Sequence, residues 1–170
     1  MSKAFVKEDD AQDVPLVVPA RPPLPPGTPN YVTPRGLRLL QEERERLARQ
    51  RDALDELADE GERRRRHAVL AQQLAELDAR LASAVVVDPA GQDPEVVRFG
   101  ATVTVSTEAG EERRYRIVGV DEANAAEGRV SFLAPVARAL LGRSLDDEVR
   151  LETANGVEVL EIIAIDYEQE

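Results

Sequence analysis

The chain has 170 residues, with 22 Lys and Arg against 33 Asp and Glu, a formal net charge of −11. That length allows one or two modest cores, and the acidity argues against free duplex DNA as a general partner, because duplex binding neutralises phosphates. The lack of cysteine excludes disulfides, thiolate metal sites and thiol nucleophiles, and the single histidine, His67, excludes a histidine-cluster metal site.

Residues 1–30 hold seven of the eleven prolines, including PARPPLPPGTP, and show no apolar period. They read as a polyproline-leaning, disordered leader. The opening MSKAFVKEDD lacks the apolar core of a signal peptide, and no apolar run reaches the roughly 20 residues of a membrane helix. A cytoplasmic protein with no membrane partner is the expectation.

Residues 31–88 form the second region. In YVTPRG, Thr33 is placed to cap a helix and Pro34 to occupy its first position, where a missing N–H costs nothing. Leu40, Leu47 and Leu54 then recur every seven residues. After Gly61, Leu70, Leu74, Leu77 and Leu81 recur at steps of four and three, with His67 and Ala84 on the same stripe. These are narrow coiled-coil seams. The first seam extrapolates to Gly61, Ala68 and Ala75, so the seam changes phase near the glycine. Two readings fit: one long helix over 34–84 that dimerises, or a reversal near 58–62 that packs two helices antiparallel. Glycine costs about 1 kcal/mol inside a helix and is at home at an end, which favours the reversal.

The segment around that glycine reads DELADEGERRRRH. As a hairpin tip it puts Asp55, Glu56, Asp59, Glu60 and Glu62 at or before the turn, with Arg63, Arg64, Arg65 and Arg66 opening the return arm. The spacings Asp59/Arg63, Glu60/Arg64 and Glu62/Arg66 also suit self-paired i,i+4 contacts on a solvated face.

Residues 89–170 carry 8 basic against 17 acidic side chains, the most acidic part of the chain. ATVTVS alternates as a half-buried strand should, and RRYRIVGV, GRVSF, EVRLET and VEVLEIIAIDY follow, separated by DEAN, Gly128 and Asn155-Gly156 turn chemistry. Pro135 opens a short helix that Gly142 closes. The fold class is α+β: helical hairpin first, then a small domain with a mostly antiparallel sheet and one short helix.

FGATVTV, YRIVGVDEA, APVARALLGRSLDDEV and the closing IIAIDY together resemble the C-terminal domain of the Gre transcription elongation factors, the GreB branch more than the GreA branch. YVTPRGLRLLQEE and VVVD resemble the start and end of that family's N-terminal coiled-coil hairpin. The resemblance spans about residues 31–168 and implies the hairpin rather than the long helix, with an FKBP-like domain from residue 89 onward. It implies binding to RNA polymerase at the secondary channel, with the hairpin inserted toward the active site. Docking would use Pro135, Ala137, Arg138, Leu140 and Leu141. For Leu140 and Leu141 the alternative is packing on the domain's own sheet.

In that family two tip acids help hold a catalytic Mg2+ so that the polymerase hydrolyses backtracked RNA. This chain lacks the family's tip string, G-D-x-x-E-N-A-[DE]-Y. Its stretch from Thr33 to Asp88 is about 14 residues shorter, about 10 Å of reach at 1.5 Å per residue. No cleavage residue carries over by position. Asp59, Glu60 and Glu62 are the metal-ligand candidates that remain, for an Mg2+ shared with the polymerase; no cofactor of its own is expected. The expected function is a monomeric polymerase-binding elongation regulator, contacting nascent RNA in the channel, with no catalytic activity of its own and no cleavage stimulation. The alternatives are a cleavage factor using tip acids, or a coiled-coil interaction module. A prolyl isomerase is disfavoured, because fold does not carry function and the domain has few aromatics to line a pocket.

Overall fold

The computed structural model describes residues 20–56 and 59–170. A short strand, β1 (Asn30–Val32), leads into helix α1 (Pro34–Ala53), which ends in a 3-10 turn over Leu54–Glu56. Helix α2 (Glu60–Ser83) runs into strand β2 (Ala84–Val86), which pairs parallel with β1. Leu40, Leu47 and Leu54 meet Leu70, Leu74 and Leu77 in one buried cluster with Val32. Both rows are buried on one another, as heptad spacing demands. Two cross-pairs set the direction: Arg44 Nε lies 2.5 Å from Asp78 Oδ1, and His67 Nε2 lies 3.8 Å from Asp55 Oδ1. Both pairs are symmetric about Gly61, as two chains passing in opposite directions require. The reversal expected at 58–62 falls partly on Ala58, which lies outside the described residues.

The second part is a five-stranded sheet in the order β5-β4-β3-β7-β6. Its strands are β3 (Thr102–Thr107), β4 (Glu112–Val118), β5 (Arg129–Ser131), β6 (Glu148–Thr153) and β7 (Gly156–Asp166). Every pairing is antiparallel except β4 with β5. Helix α3 (Pro135–Leu140) packs its Ala137 and Leu140 into the core with Val103, Val105, Ile117, Leu160 and Ile162. The register of β7 on β3 shifts between Thr104 and Val105. Ile163 is the extra residue there and stands 37% exposed, so the inward set runs Leu160, Ile162, then Ile165. An inserted residue reverses which face each later side chain meets.

The segment expected as leader up to residue 30 is in contact with both parts from Arg21 onward. Asn30, buried in β1, donates through Nδ2 to the Arg80 carbonyl at 2.9 Å. Residues 1–19 of the expected leader lie outside the described residues. Among the described residues no helix is long and apolar enough to cross a membrane.

Candidate functional surfaces

The tip is built by capping. Asp59 precedes α2 and accepts from the Glu62 amide at 2.7 Å, closing the first turn. Gly61 is the second residue of α2. Glu60 and Glu62 each reach one turn ahead, to Arg64 at 2.7 Å and Arg66 at 2.5 Å. Asp55 faces His67 across the helices, and Glu56 is exposed at the end of the 3-10 turn. Each of the three candidate metal ligands thus already serves the helix or an arginine. Among the described residues no group of three or more His, Asp or Glu side chains is placed to hold a metal ion.

The α3 segment divides by burial. Pro135 and Arg138 are exposed and Leu141 is partly covered, so these three are available to a partner. Ala137 and Leu140 are fully buried. Their place in the docking set is corrected: an i,i+3 pair on one face of a one-and-a-half-turn helix is needed to close the sheet's core, and buried side chains offer no surface.

A third site joins the helices to the sheet domain, and sequence reasoning missed its pairings. Tyr31 of β1 enters an aromatic trio with Phe99 and Phe132, ring centroids 5.6–5.7 Å apart. Gly119 makes room for this, since a Cβ there would lie 2.5 Å from the Tyr31 carbonyl oxygen. Glu122, its side chain 2% exposed, receives a 2.5 Å hydrogen bond from the Thr33 hydroxyl and ion pairs from Arg35 at 3.2 Å and Arg129 at 3.1 Å. A buried carboxylate requires such partners. Gly36 leaves space for it, because a Cβ there would come 2.7 Å from Glu122 Oε2. Asp121 pairs with Arg80 of α2 at 3.1 Å.

Glu170 closes the same network. It pairs with Arg116 at 2.7 Å, Arg129 at 2.9 Å and Arg35 at 3.5 Å. Burial pushes its carboxyl up, but the Arg129 hydrogen bond and the charges of Arg116, Arg129 and Arg35 outweigh that and hold it below its ordinary value of 4.5. In sequence, Thr33 shows only its capping signal and DEAN only its turn chemistry. The signal for the joint was the pair of glycines, Gly36 and Gly119, beside them.

The helical arm is thus clamped to the sheet domain through Glu122 and Asp121. The family model described as "Transcription elongation factor, GreA/GreB, C-term" matches residues 92–167. Transcription elongation factor GreA of Trichlorobacter lovleyi is 41% identical over 138 residues, covering 77% of this chain and 87% of that one. Transcription elongation factor GreB of Pasteurella multocida is 46% identical over 93 residues, 55% of this chain and 59% of that one. Among solved structures, the transcription elongation factor GreA/GreB from Nitrosomonas europaea is 27% identical and covers 81% of this chain and 98% of that one, with a TM-score of 0.42. The chain belongs to the GreA/GreB family of transcription elongation factors.

Proposed function

We propose that this chain binds RNA polymerase as a monomer, lodging α1 and α2 as a coiled-coil hairpin in the secondary channel and docking through its FKBP-like sheet domain. In this reading it occupies the channel without stimulating transcript cleavage, and it has no catalytic activity of its own. It acts in the cytoplasm, where the polymerase is. The observation that carries the reading is the state of the tip acids. Asp59 caps α2, and turning it to a metal would give up a cap worth about 0.5–2 kcal/mol. Glu60 and Glu62 stand beside arginines, whose positive charge opposes a nearby cation. Docking is supported by the surplus of acid after residue 89, which suits a basic rim, and by the exposure of Arg138 on α3. The arginines of the tip are then positioned toward nascent RNA.

A second reading, cleavage stimulation with a shared Mg2+, is favoured by one observation: Glu60 is 71% exposed, and exposed ion pairs contribute about 0–1 kcal/mol, little enough to exchange. A backtracked-complex assay separates the two. Purified polymerase is mixed with the chain alone and, separately, with the chain plus a cleavage-competent relative; suppression of the relative's cleavage with none from the chain alone supports the first reading, and cleavage by the chain alone above that of polymerase refutes it.

A further inference from the structure

Arg21 precedes every segment that carries the family resemblance, yet it touches all three elements around it. Its amide donates to Glu76 Oε2 on α2 at 3.0 Å. Its guanidinium lies 2.6 Å from Glu43 Oε1 on α1 and 2.6 Å from Asp121 Oδ1 on the sheet domain. One residue on, the Pro22 carbonyl accepts from Arg80. The Arg21 side chain is 20% exposed and that of Asp121 only 11% exposed, so these pairs are sheltered from screening.

The position of these contacts gives them leverage. Thr33 and Arg35 attach α1 to the sheet domain at its root, and a rod held at its root still swivels. Glu43 lies ten residues beyond Thr33, about 15 Å along the helix. Beside the Arg80–Asp121 pair of α2, a hold on α1 at that height defines the axis of the helix as well as its origin. The far end amplifies any looseness: α2 has 24 residues, about 36 Å, so a tilt of about 10° moves its tip about 6 Å.

We propose that residues 20–22 are a strap that sets the angle between the helices and the sheet domain, with Arg21 as its lock. The charges make the strap able to open. Without the Arg21 guanidinium, Glu43 of α1 and Asp121 of the sheet domain face its vacated place with Arg80 left to balance both carboxylates, and like charges push the helices away from the domain. Whatever displaces the strap therefore changes where the tip points.

The chain has no cysteine, so a pair can be introduced cleanly for spin labelling. Ala68→Cys on the exposed side of α2 and Asn155→Cys in the β6–β7 turn are both exposed. Electron–electron dipolar spectroscopy on the full chain reads the distance between them. The parent pair should give one narrow distribution. Arg21→Met, which keeps the aliphatic stem, should broaden and shift it by several ångström, while circular dichroism shows the helices retained. Adding Glu43→Gln to Arg21→Met should narrow it again, because one repelling carboxylate is gone. If Arg21→Met does not fold, Arg21→Lys replaces it: a point charge cannot span Glu43 and Asp121 as a fork does, and partial broadening is expected. A broad parent distribution, or superimposable distributions for the parent and the folded Arg21 variant, overturns the proposal.

Discussion

The Thr33 hydroxyl donates a 2.5 Å hydrogen bond to Glu122 Oε2 while accepting one of 2.9 Å from the Gly36 amide. One side chain thus starts α1 and ties it to a residue 89 positions away. The hold between the helices and the sheet domain therefore begins at a helix cap.

Thr33→Val keeps the shape of the residue and removes both bonds. The cap is lost, and Glu122 stays buried with Arg35 and Arg129 as remaining partners. We expect a loss of about 1–3 kcal/mol in urea unfolding, with Thr33→Ser near the parent. A Thr33→Val chain as stable as the parent would show that the hydroxyl contributes nothing.

At the tip, replacing Asp59, Glu60 and Glu62 by alanine should leave polymerase binding almost unchanged and alter no cleavage rate. Loss of the Asp59 cap should lower stability by about 1 kcal/mol. Cleavage by the parent chain that the triple change abolishes would make these acids functional ligands.

Along α3 the expected outcomes split by burial. Leu140→Ala should cost about 2–5 kcal/mol of stability, because its side chain is fully buried in the sheet core. Arg138→Glu should leave the melting curve in place and weaken co-elution with polymerase. Equal binding by the folded Arg138→Glu chain would remove that residue from the interface.

Stability should also fall in acid. The Glu170 carboxyl is held below its ordinary value of 4.5, and that of Glu76 is lowered too, first by the Arg21 amide and then by Gln72. A depressed folded value means that the contribution is complete above the unfolded value and is lost as pH drops through the folded one. The melting temperature should therefore decline below about pH 4.5, and Glu170→Gln should flatten that decline; an identical profile for the variant would contradict the assignment.

Much of this fold could be read locally. The seven-residue leucine spacing, the Thr33-Pro34 start, the alternation of ATVTVS and the glycine and asparagine turns each depend on residues a few positions apart, and the structure has elements at those places. The tip pairs Glu60–Arg64 and Glu62–Arg66 were readable for the same reason, since i,i+4 neighbours meet on any helix. The sheet's strand order was not, because hydrophobic alternation marks a strand without naming its neighbour, and the irregular register in β7 reverses the pattern halfway. Nor did APVARALLG reveal which of its residues face out: Ala137 and Leu140 are drawn inward by a core assembled from strands on both sides of them. The joint is the extreme case. With 22 basic and 33 acidic side chains in the chain, charge alone does not select partners. Arg21 finds Asp121 across 100 positions, and Thr33 finds Glu122 across 89, because folding brings β1, α1 and the β4–β5 connection to one place where a buried carboxylate must be satisfied.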